Sequence, residues 1–197
     1  MAVISRGFGS RRRESSAELP PGQYLAEDFP VLSAGPTPEI DTSEWAFSIT
    51  TETGELHRWD WDELHALEIE DVATDIHCVT RWSKLGTSWR GVSLDTLFEG
   101  VETTCEYVMA HSYGGYTTNV PLADLLGGKA WIAFEFDGED LDPEHGGPAR
   151  LLIPHLYFWK SAKWIRGLEL QADDLPGFWE QNGYNMYGDP WLEQRYW

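Results

Sequence analysis

The sequence predicts an α+β fold weighted towards β-strands. Short apolar or alternating runs recur along the chain, and Gly, Pro, Asn and Asp separate them. Helix start and stop signals mark only a few short stretches. With 197 residues, 42% of them hydrophobic and 11 of them Trp, the chain is long enough to bury a sizeable core. We therefore expect one strand-rich domain that carries a few short helices.

The elements follow in order from an entry segment at 18–40, which is rich in Pro and Gly and predicts an extended chain laid over the domain. Alternating or apolar runs predict strands at 45–50, 71–79, 105–112, 116–120, 130–138, 149–154 and 163–170. Helices are predicted at 60–67 with Asp60 as N-cap, at 93–100 with Ser93 as N-cap and Gly100 as stop, and at 121–128 with Pro121 in the first position.

The two ends of the chain differ from this middle part. Residues 1–20 are polar and predict a mobile tail, so that the domain covers 21–197. From about residue 172 the chain becomes an irregular, aromatic C-terminal extension. Arg11, Arg12 and Arg13 resemble the start of an export signal, but no apolar segment follows them. No apolar run approaches the ~18 residues of a membrane helix, and we expect a cytoplasmic protein without membrane insertion.

The charge is strongly negative, at −19, with 33 acidic and 14 basic residues. Such a surface repels nucleic acid, so a nucleic-acid partner is not expected. The acidic excess is also typical of proteins that stay soluble in concentrated salt. A halophilic source is therefore a hypothesis, and full solubility without salt would contradict it.

Two stretches of this acidic chain contain no Asp or Glu, one from Ile76 to Leu94 and one from His145 to Leu168. The second carries four of the 14 basic residues, namely Arg150, Lys160, Lys163 and Arg166. Buried strands that exclude acids are one explanation, but buried strands do not need four cations. The other explanation is that the two stretches form two walls of one anion-binding site. In such a site Arg and Lys side chains, and backbone N–H groups near Gly146 and Gly147, would donate hydrogen bonds to a phosphate.

The first stretch contains Cys78, one of two cysteines. Cys105 lies in an apolar run and is interpreted as a small buried hydrophobe. For Cys78, the neighbours His77, Arg81 and Lys84 favour a thiolate, which would act as a metal ligand or as a nucleophile. A zinc site and a Cys/His hydrolase are both weak alternatives, because the histidine spacing matches no standard zinc pattern and no local hydrolase signature is present.

The segments DIHCVTRWS and HGGPARLLIPHLYFWKSAKW resemble the molybdopterin-binding domain of the sulfite oxidase family. The similarity is greatest to its small cytoplasmic single-domain members and to the catalytic subunit of the bacterial protein-methionine-sulfoxide reductase, and it covers most of 40–171. It implies the sulfite oxidase fold and a molybdenum centre with one pyranopterin dithiolene, and hence a molybdopterin-dependent oxidoreductase that moves an oxygen atom to or from a small substrate.

The resemblance also implies roles for individual residues. The metal ligand of the family falls on Cys78, and the only candidate beside it for attracting a substrate is Arg81, for which a surface ion pair is the alternative. The cofactor contacts of the family fall on Ser112, His145, Arg150, Lys160, Ser161, Ala162 and Lys163.

One position departs from the sulfite-oxidising members, which carry a tyrosine near molybdenum. Here Phe134 stands in that stretch, and a phenyl ring cannot donate a hydrogen bond. This difference favours sulfoxide or N-oxide reduction, with sulfite oxidation as the alternative. A non-catalytic cofactor-binding or interaction module is a third interpretation. An enzyme of this kind also needs an electron-transfer partner, which the aromatic extension would dock unless it packs over the domain.

Overall fold

The computed structural model describes residues 18–197, so most of the predicted mobile tail at 1–20 lies outside the described residues. Strands form two sheets. The six-stranded sheet runs in the order β1 (Tyr24–Leu25), β5 (Trp82–Ser93), β8 (Trp131–Phe136), β10 (Arg150–Leu152), with β4 (Glu70–His77) paired to β5 and β9 (Glu139–Asp140) paired to β8. The five-stranded sheet runs β3 (Leu56–Asp60), β2 (Ala46–Thr50), β11 (Ile165–Gln171), β6 (Tyr107–Ser112), β7 (Thr117–Pro121).

The helices are few and short, which confirms the strand-rich α+β prediction. They are α1 (Trp61–His65), α2 (Leu94–Leu97) and α3 (Phe178–Gln181), with 3₁₀ turns at Leu122–Asp124 and Pro143–His145. Both predicted caps are present. Asp60 and Glu63 form a reciprocal capping box at α1, and the Ser93 hydroxyl accepts a hydrogen bond from the Asp95 N–H at α2. Among residues 18–197, the structure contains no helix that is long and apolar enough to cross a membrane.

Several elements differ from the sequence-based prediction, which did not include the strands β1, β3, β5 and β9 or the helix α3. Pro121 ends β7, and the turn that follows it starts only at Leu122. The long strand β5 was not predicted, because polar residues and glycines interrupt its alternation and its pairing shifts register next to Gly91. A Cβ at Gly91 would lie 2.4 Å from the carbonyl oxygen of Ile132, so the close approach of β8 requires glycine there.

The buried residues form two clusters, and their position explains where the site lies. The larger cluster contains Cys105, as predicted, together with the inward side chains of both sheets. The smaller cluster is aromatic and surrounds Cys78, with Trp82, Trp89 and Phe158 among its members. The predicted entry segment lies across this second cluster, since Phe29 packs against it and β1 pairs in parallel with β5. The aromatic cluster therefore sits where the entry segment covers the six-stranded sheet.

Candidate active site

A cavity of about 540 Å³ opens over the aromatic cluster. Both acid-free stretches contribute to its wall, which supports the interpretation of two walls of one site. The predicted site residues that line it are Cys78, Arg150, Ser161, Ala162 and Lys163. Among residues 18–197, no group of three His, Cys, Asp or Glu side chains could hold a metal ion. The thiol of Cys78 is the ligand that the protein offers to a metal in this cavity.

A tight turn after β4 presents Cys78 to the cavity. The Cys78 N–H donates to the Trp82 carbonyl at 2.9 Å, and the Arg81 N–H donates to the Cys78 carbonyl at 3.0 Å. Arg81 closes the turn with a φ of 79°, while its side chain is exposed and does not line the cavity. The Cys78 Sγ lies 3.1 Å from the Thr80 hydroxyl in a hydrogen bond. The backbone of Arg81 therefore helps to fix the position of the thiol.

The expectation of a thiolate stabilised by its sequence neighbours is wrong for the protein alone. Burial raises the pKa of the Cys78 thiol, and of the charged side chains only the more distant Arg195 lowers it. The His77 imidazole is buried against the Ser83 hydroxyl at 2.8 Å, and burial lowers its pKa. The ammonium of Lys84 donates to the Glu27 carbonyl at 3.0 Å. Neither His77 nor Lys84 therefore favours a Cys78 thiolate in the protein alone.

Arg150 is a buried cation without a carboxylate partner. Its side chain is 1% exposed, and its guanidinium donates to the carbonyls of His145 at 2.6 Å and Ser161 at 2.7 Å. The guanidinium also lies over the Phe158 ring, 4.0 Å from the centroid. Within the described part of the chain it makes no salt bridge, and burial lowers its pKa to about 9. A buried positive charge at a cavity wall favours an anionic ligand.

Lys163 stands beside Arg150 on the cavity wall. Its ammonium donates to the carbonyls of Leu32, at 2.7 Å, and of Glu144. Burial and the nearby Arg150 lower its pKa to about 8. The hydroxyl of Ser112 donates to the Lys163 carbonyl at 2.6 Å, so Ser112 holds this residue from behind and does not itself line the cavity. The two cations and their support form one positively charged wall.

His145 lies next to this wall, with its ring stacked on Phe29 at 3.9 Å between centroids. Its Nδ1 is buried and has no hydrogen-bond partner among the residues that the structure describes. Burial, with help from Lys163 and Arg150, lowers the pKa of the imidazole. His145 does not line the cavity that contains Cys78; it lines a smaller neighbouring cavity with Leu141 and Asp142. An unpartnered buried nitrogen is costly unless a ligand satisfies it.

Lys160 does not reach the cavity. Its ammonium is fully buried and lies 2.7 Å from the Glu180 carboxylate, and it also donates to both oxygens of Asn119 and to the Met186 carbonyl. All three of its N–H donors are therefore used by the protein, which leaves none for a phosphate. The four cations of this acid-free stretch thus differ in position: Arg150 and Lys163 line the cavity, Lys160 holds the C-terminal extension, and Arg166 is exposed on β11.

Phe134 also lies away from the cavity, against the expectation that it stands near the metal. It is 4% exposed in the larger core cluster, where its ring contacts Trp61 at 6.1 Å and His65 at 4.3 Å between centroids. Phe134 therefore does not indicate which substrate the cavity accepts.

Sequence reasoning missed the aromatic residues that complete the cavity. Phe29 comes from the entry segment, and Phe178, Trp179 and Tyr184 come from the C-terminal extension. Tyr116 lines the cavity from the loop before β7 and donates to the Trp159 carbonyl at 2.7 Å. The density of aromatic residues after residue 172 was the available signal, but it did not reveal which of them turn inward.

Comparison with known proteins gives the same assignment. Residues 34–179 match the family described as the oxidoreductase molybdopterin binding domain. The chain is 42% identical to the uncharacterized oxidoreductase YuiH of Bacillus subtilis, over 96% of this chain and 98% of that one. It is 30% identical to the putative protein-methionine-sulfoxide reductase subunit YedZ1 of Azospira oryzae, over 76% of this chain and 58% of the relative.

Two further matches cover less than half of the length of the matched protein. The sulfite oxidase of Gallus gallus is 31% identical over 54% of this chain and 25% of its own length. The structure of the sulfane dehydrogenase SoxCD from Paracoccus pantotrophus superposes with a TM-score of 0.62 at 17% identity, over 70% of this chain and 40% of that one. The second match confirms the predicted sulfite oxidase type of fold. The chain therefore belongs to the oxidoreductase molybdopterin-binding family and is a molybdopterin-dependent oxidoreductase of the sulfite oxidase type.

Proposed function

We propose that the cavity holds molybdenum with one pyranopterin dithiolene, and that Cys78 is the protein ligand of the metal. The observation that carries this proposal is the buried guanidinium of Arg150, which lacks a carboxylate and faces the cavity. The phosphate of the pterin supplies the missing negative charge. Thiolate is a suitable ligand for a metal that dithiolene sulfurs already hold.

The residues around Arg150 fit the same group. Lys163 gives a second cation on the cavity wall. His145 does not line this cavity, and we propose that its unpartnered Nδ1 becomes a polar contact for the pterin edge once the cofactor is bound. Ser161 and Ala162 offer a small side chain and backbone at the wall between them. We propose that Ser112 supports this wall through the Lys163 carbonyl, and that Lys160 acts on the fold and not on the phosphate.

When bound, the molybdenum centre supplies two-electron oxygen-atom transfer. The protein supplies the environment for it. Thr80 can hydrogen-bond the Cys78 sulfur and so limit the electron density that the sulfur donates to the metal. The aromatic side chains that line the cavity, Phe29 and Tyr184 among them, exclude bulk water from the reacting atoms. We propose that Arg81 acts through its backbone, by fixing the turn that orients the thiolate.

We propose that the substrate is a neutral S-oxide or N-oxide that the enzyme reduces. Arg150 and Lys163 are the charged residues on the wall, and we assign both to the pterin phosphate; the remaining lining is mainly aromatic, aliphatic or small. The net charge of −19 disfavours the approach of sulfite, which is an anion. Reduction of a sulfoxide takes two electrons and two protons and releases a thioether and water.

Sulfite oxidation is the second candidate, and the 31% identity to the sulfite oxidase of Gallus gallus favours it. Either direction requires an electron-transfer partner, since two electrons enter or leave at each turnover.

We also propose that the protein works in the cytoplasm as one cofactor-binding domain from about residue 21. The two free thiols, Cys78 and Cys105, support the location, and the cavity-lining C-terminal extension supports the extent of the domain.

The decisive experiment measures molybdenum and released pterin in the protein purified from a host that makes the cofactor. We expect about one molybdenum and one pterin per chain. Cys78→Ser should abolish turnover while Cys105→Ser, a buried thiol remote from the cavity, should not. Assays of the loaded protein with sulfoxides, N-oxides and sulfite then decide the substrate. Protein that contains no molybdenum after expression in such a host would contradict the cofactor assignment. Activity with sulfite, and none with sulfoxides or N-oxides, would show that the enzyme oxidises its substrate and does not reduce it.

A further inference from the structure

The C-terminal extension contributes three aromatic residues to the cavity lining, Phe178, Trp179 and Tyr184. Trp179 and Tyr184 line it, and their rings stack with centroids 4.9 Å apart and an interplanar angle of 18°. The Tyr184 N–H donates to the Trp179 carbonyl at 3.0 Å, so the stack is fixed by the backbone as well. We call Trp179 and Tyr184 the aromatic wall.

A buried ion pair holds the aromatic wall in place. Glu180, the residue after Trp179, is fully buried, and its carboxylate accepts hydrogen bonds from Thr118 at 2.9 Å and from the Trp159 indole at 2.8 Å. Lys160 neutralises this carboxylate at 2.7 Å. The Trp159 ring in turn lies edge-on to Tyr184, with centroids 5.0 Å apart. The position of the wall therefore depends on Glu180 and Lys160.

Tight packing at the start of α3 adds to this fixation. A Cβ at Gly177 would lie 2.5 Å from the Cα of Thr118, so the helix rests directly on β7. Trp179 consequently has little freedom to withdraw from the cavity. A rigid aromatic surface loses little conformational entropy when a ligand binds it.

The chemistry of the aromatic wall differs from that of the wall formed by Arg150 and Lys163. The cations that line the cavity, Arg150 and Lys163, bond to the segment 144–161 and to Leu32 and not to the C-terminal extension. The charge of Lys160 behind the wall is matched by Glu180. Aromatic faces bind flat and apolar groups and polarizable sulfur, and they do not attract anions.

We propose that the aromatic wall is a substrate-binding surface that selects neutral S-oxides with an aryl or other large apolar substituent, and that Glu180 and Lys160 are its positioning residues. This inference rests on the proposed reduction of neutral S-oxides by the same site. It assigns the cationic wall to the cofactor and the aromatic wall to the substrate.

The test compares methyl phenyl sulfoxide with dimethyl sulfoxide on the molybdenum-loaded protein, with a reduced viologen dye as electron donor. Trp179→Leu and Tyr184→Leu should each raise KM for methyl phenyl sulfoxide by about 3- to 10-fold, as expected for the loss of one aromatic contact, and should raise it by a larger factor than KM for dimethyl sulfoxide. Trp197→Leu is the matched control, because Trp197 belongs to the same extension but is 80% exposed.

A binding measurement separates this inference from the proposed function. Equilibrium dialysis of methyl phenyl sulfone, an unreactive analogue, against the loaded protein should show weaker binding to both wall variants by the same factor. Binding that weakens as expected, in a protein that reduces no sulfoxide, would keep the aromatic wall and reject the proposed function. Equal effects on the two sulfoxides, unchanged sulfone binding, or loss of molybdenum and pterin from the wall variants would overturn the inference, the last by assigning the wall to the cofactor.

Discussion

Arg150 and Lys160 belong to the same acid-free stretch and are both almost fully buried, but their surroundings are opposite. Arg150 meets only carbonyls and an aromatic ring and faces the cavity, whereas Lys160 meets the Glu180 carboxylate and faces the protein. The charge of Arg150 is available to a ligand, whereas the charge of Lys160 is neutralised by Glu180. Cations that are close together in the sequence therefore need not form one binding site, because the role of each cation depends on the group it contacts.

The largest expected effect is on stability, at the paired cation. Glu180→Gln leaves Lys160 buried without a counter-charge, so we expect a loss of about 3–5 kcal/mol in the free energy of unfolding. Urea unfolding of the cofactor-free protein measures it. Glu193→Gln is the matched control, because Glu193 is 51% exposed and lies 3.9 Å from Arg195; its loss should stay within ~1 kcal/mol. Equal losses in the two variants would remove the structural role of the Lys160 pair.

The next effect is on cofactor content, at the unpaired cation. Arg150→Met removes charge-assisted hydrogen bonds to phosphate, so we expect molybdenum and pterin per chain to fall by about 10- to 100-fold under limiting cofactor. Arg150→Lys keeps the charge but not the planar geometry and should give an intermediate value. Elemental analysis measures the metal. Full occupancy in Arg150→Met would show that this charge serves the fold, as Lys160 does.

A smaller effect is expected on the pH dependence of anion binding. The pKa of Lys163 is about 8, below that of Arg150, so Lys163 loses its charge first as the pH rises. Stabilisation of the cofactor-free protein by inorganic pyrophosphate should therefore decline above about pH 8. The facing groups, Glu144, His145 and the protonated Cys78, add no positive charge in this range.

Lys163→Met provides the control for this decline. Without the ammonium, the decline near pH 8 should be absent, because the Arg150 guanidinium keeps its charge to a higher pH. Thermal unfolding with and without pyrophosphate, from pH 7 to 10, measures both curves. Because pyrophosphate gains negative charge as the pH rises, the anion itself would change binding in the opposite direction. An unchanged curve in Lys163→Met would mean that this lysine does not contact the anion.

The smallest effect is expected at Phe134, which the sequence placed near the metal and the structure places in the core. Phe134→Tyr should leave the ratio of sulfite to sulfoxide turnover unchanged, because the ring contacts Trp61 and His65 and not the cavity. Steady-state assays with both substrates measure the ratio. A gain of sulfite oxidation would show that the position does communicate with the reacting atoms.

The sequence determined much of this protein by itself. Local signals were enough for the helix caps at Asp60 and Ser93 and for most strands, because capping and alternation depend on residues close in the chain. The acid-free stretches indicated the cationic cavity, since charge composition survives folding. The motifs around Cys78 and Arg150 indicated the family, and both residues line the cavity.

Tertiary structure alone decided the partners and the faces. Glu180 reaches Lys160 from the C-terminal extension, and no local pattern encodes a contact between residues so far apart. The side of β8 that Phe134 occupies could not be predicted, because Trp131 to Phe134 are all buried and alternation gives no information there. Burial also reversed the expected charge state of Cys78, since desolvation depends on all the atoms packed around the sulfur and not on its neighbours in sequence.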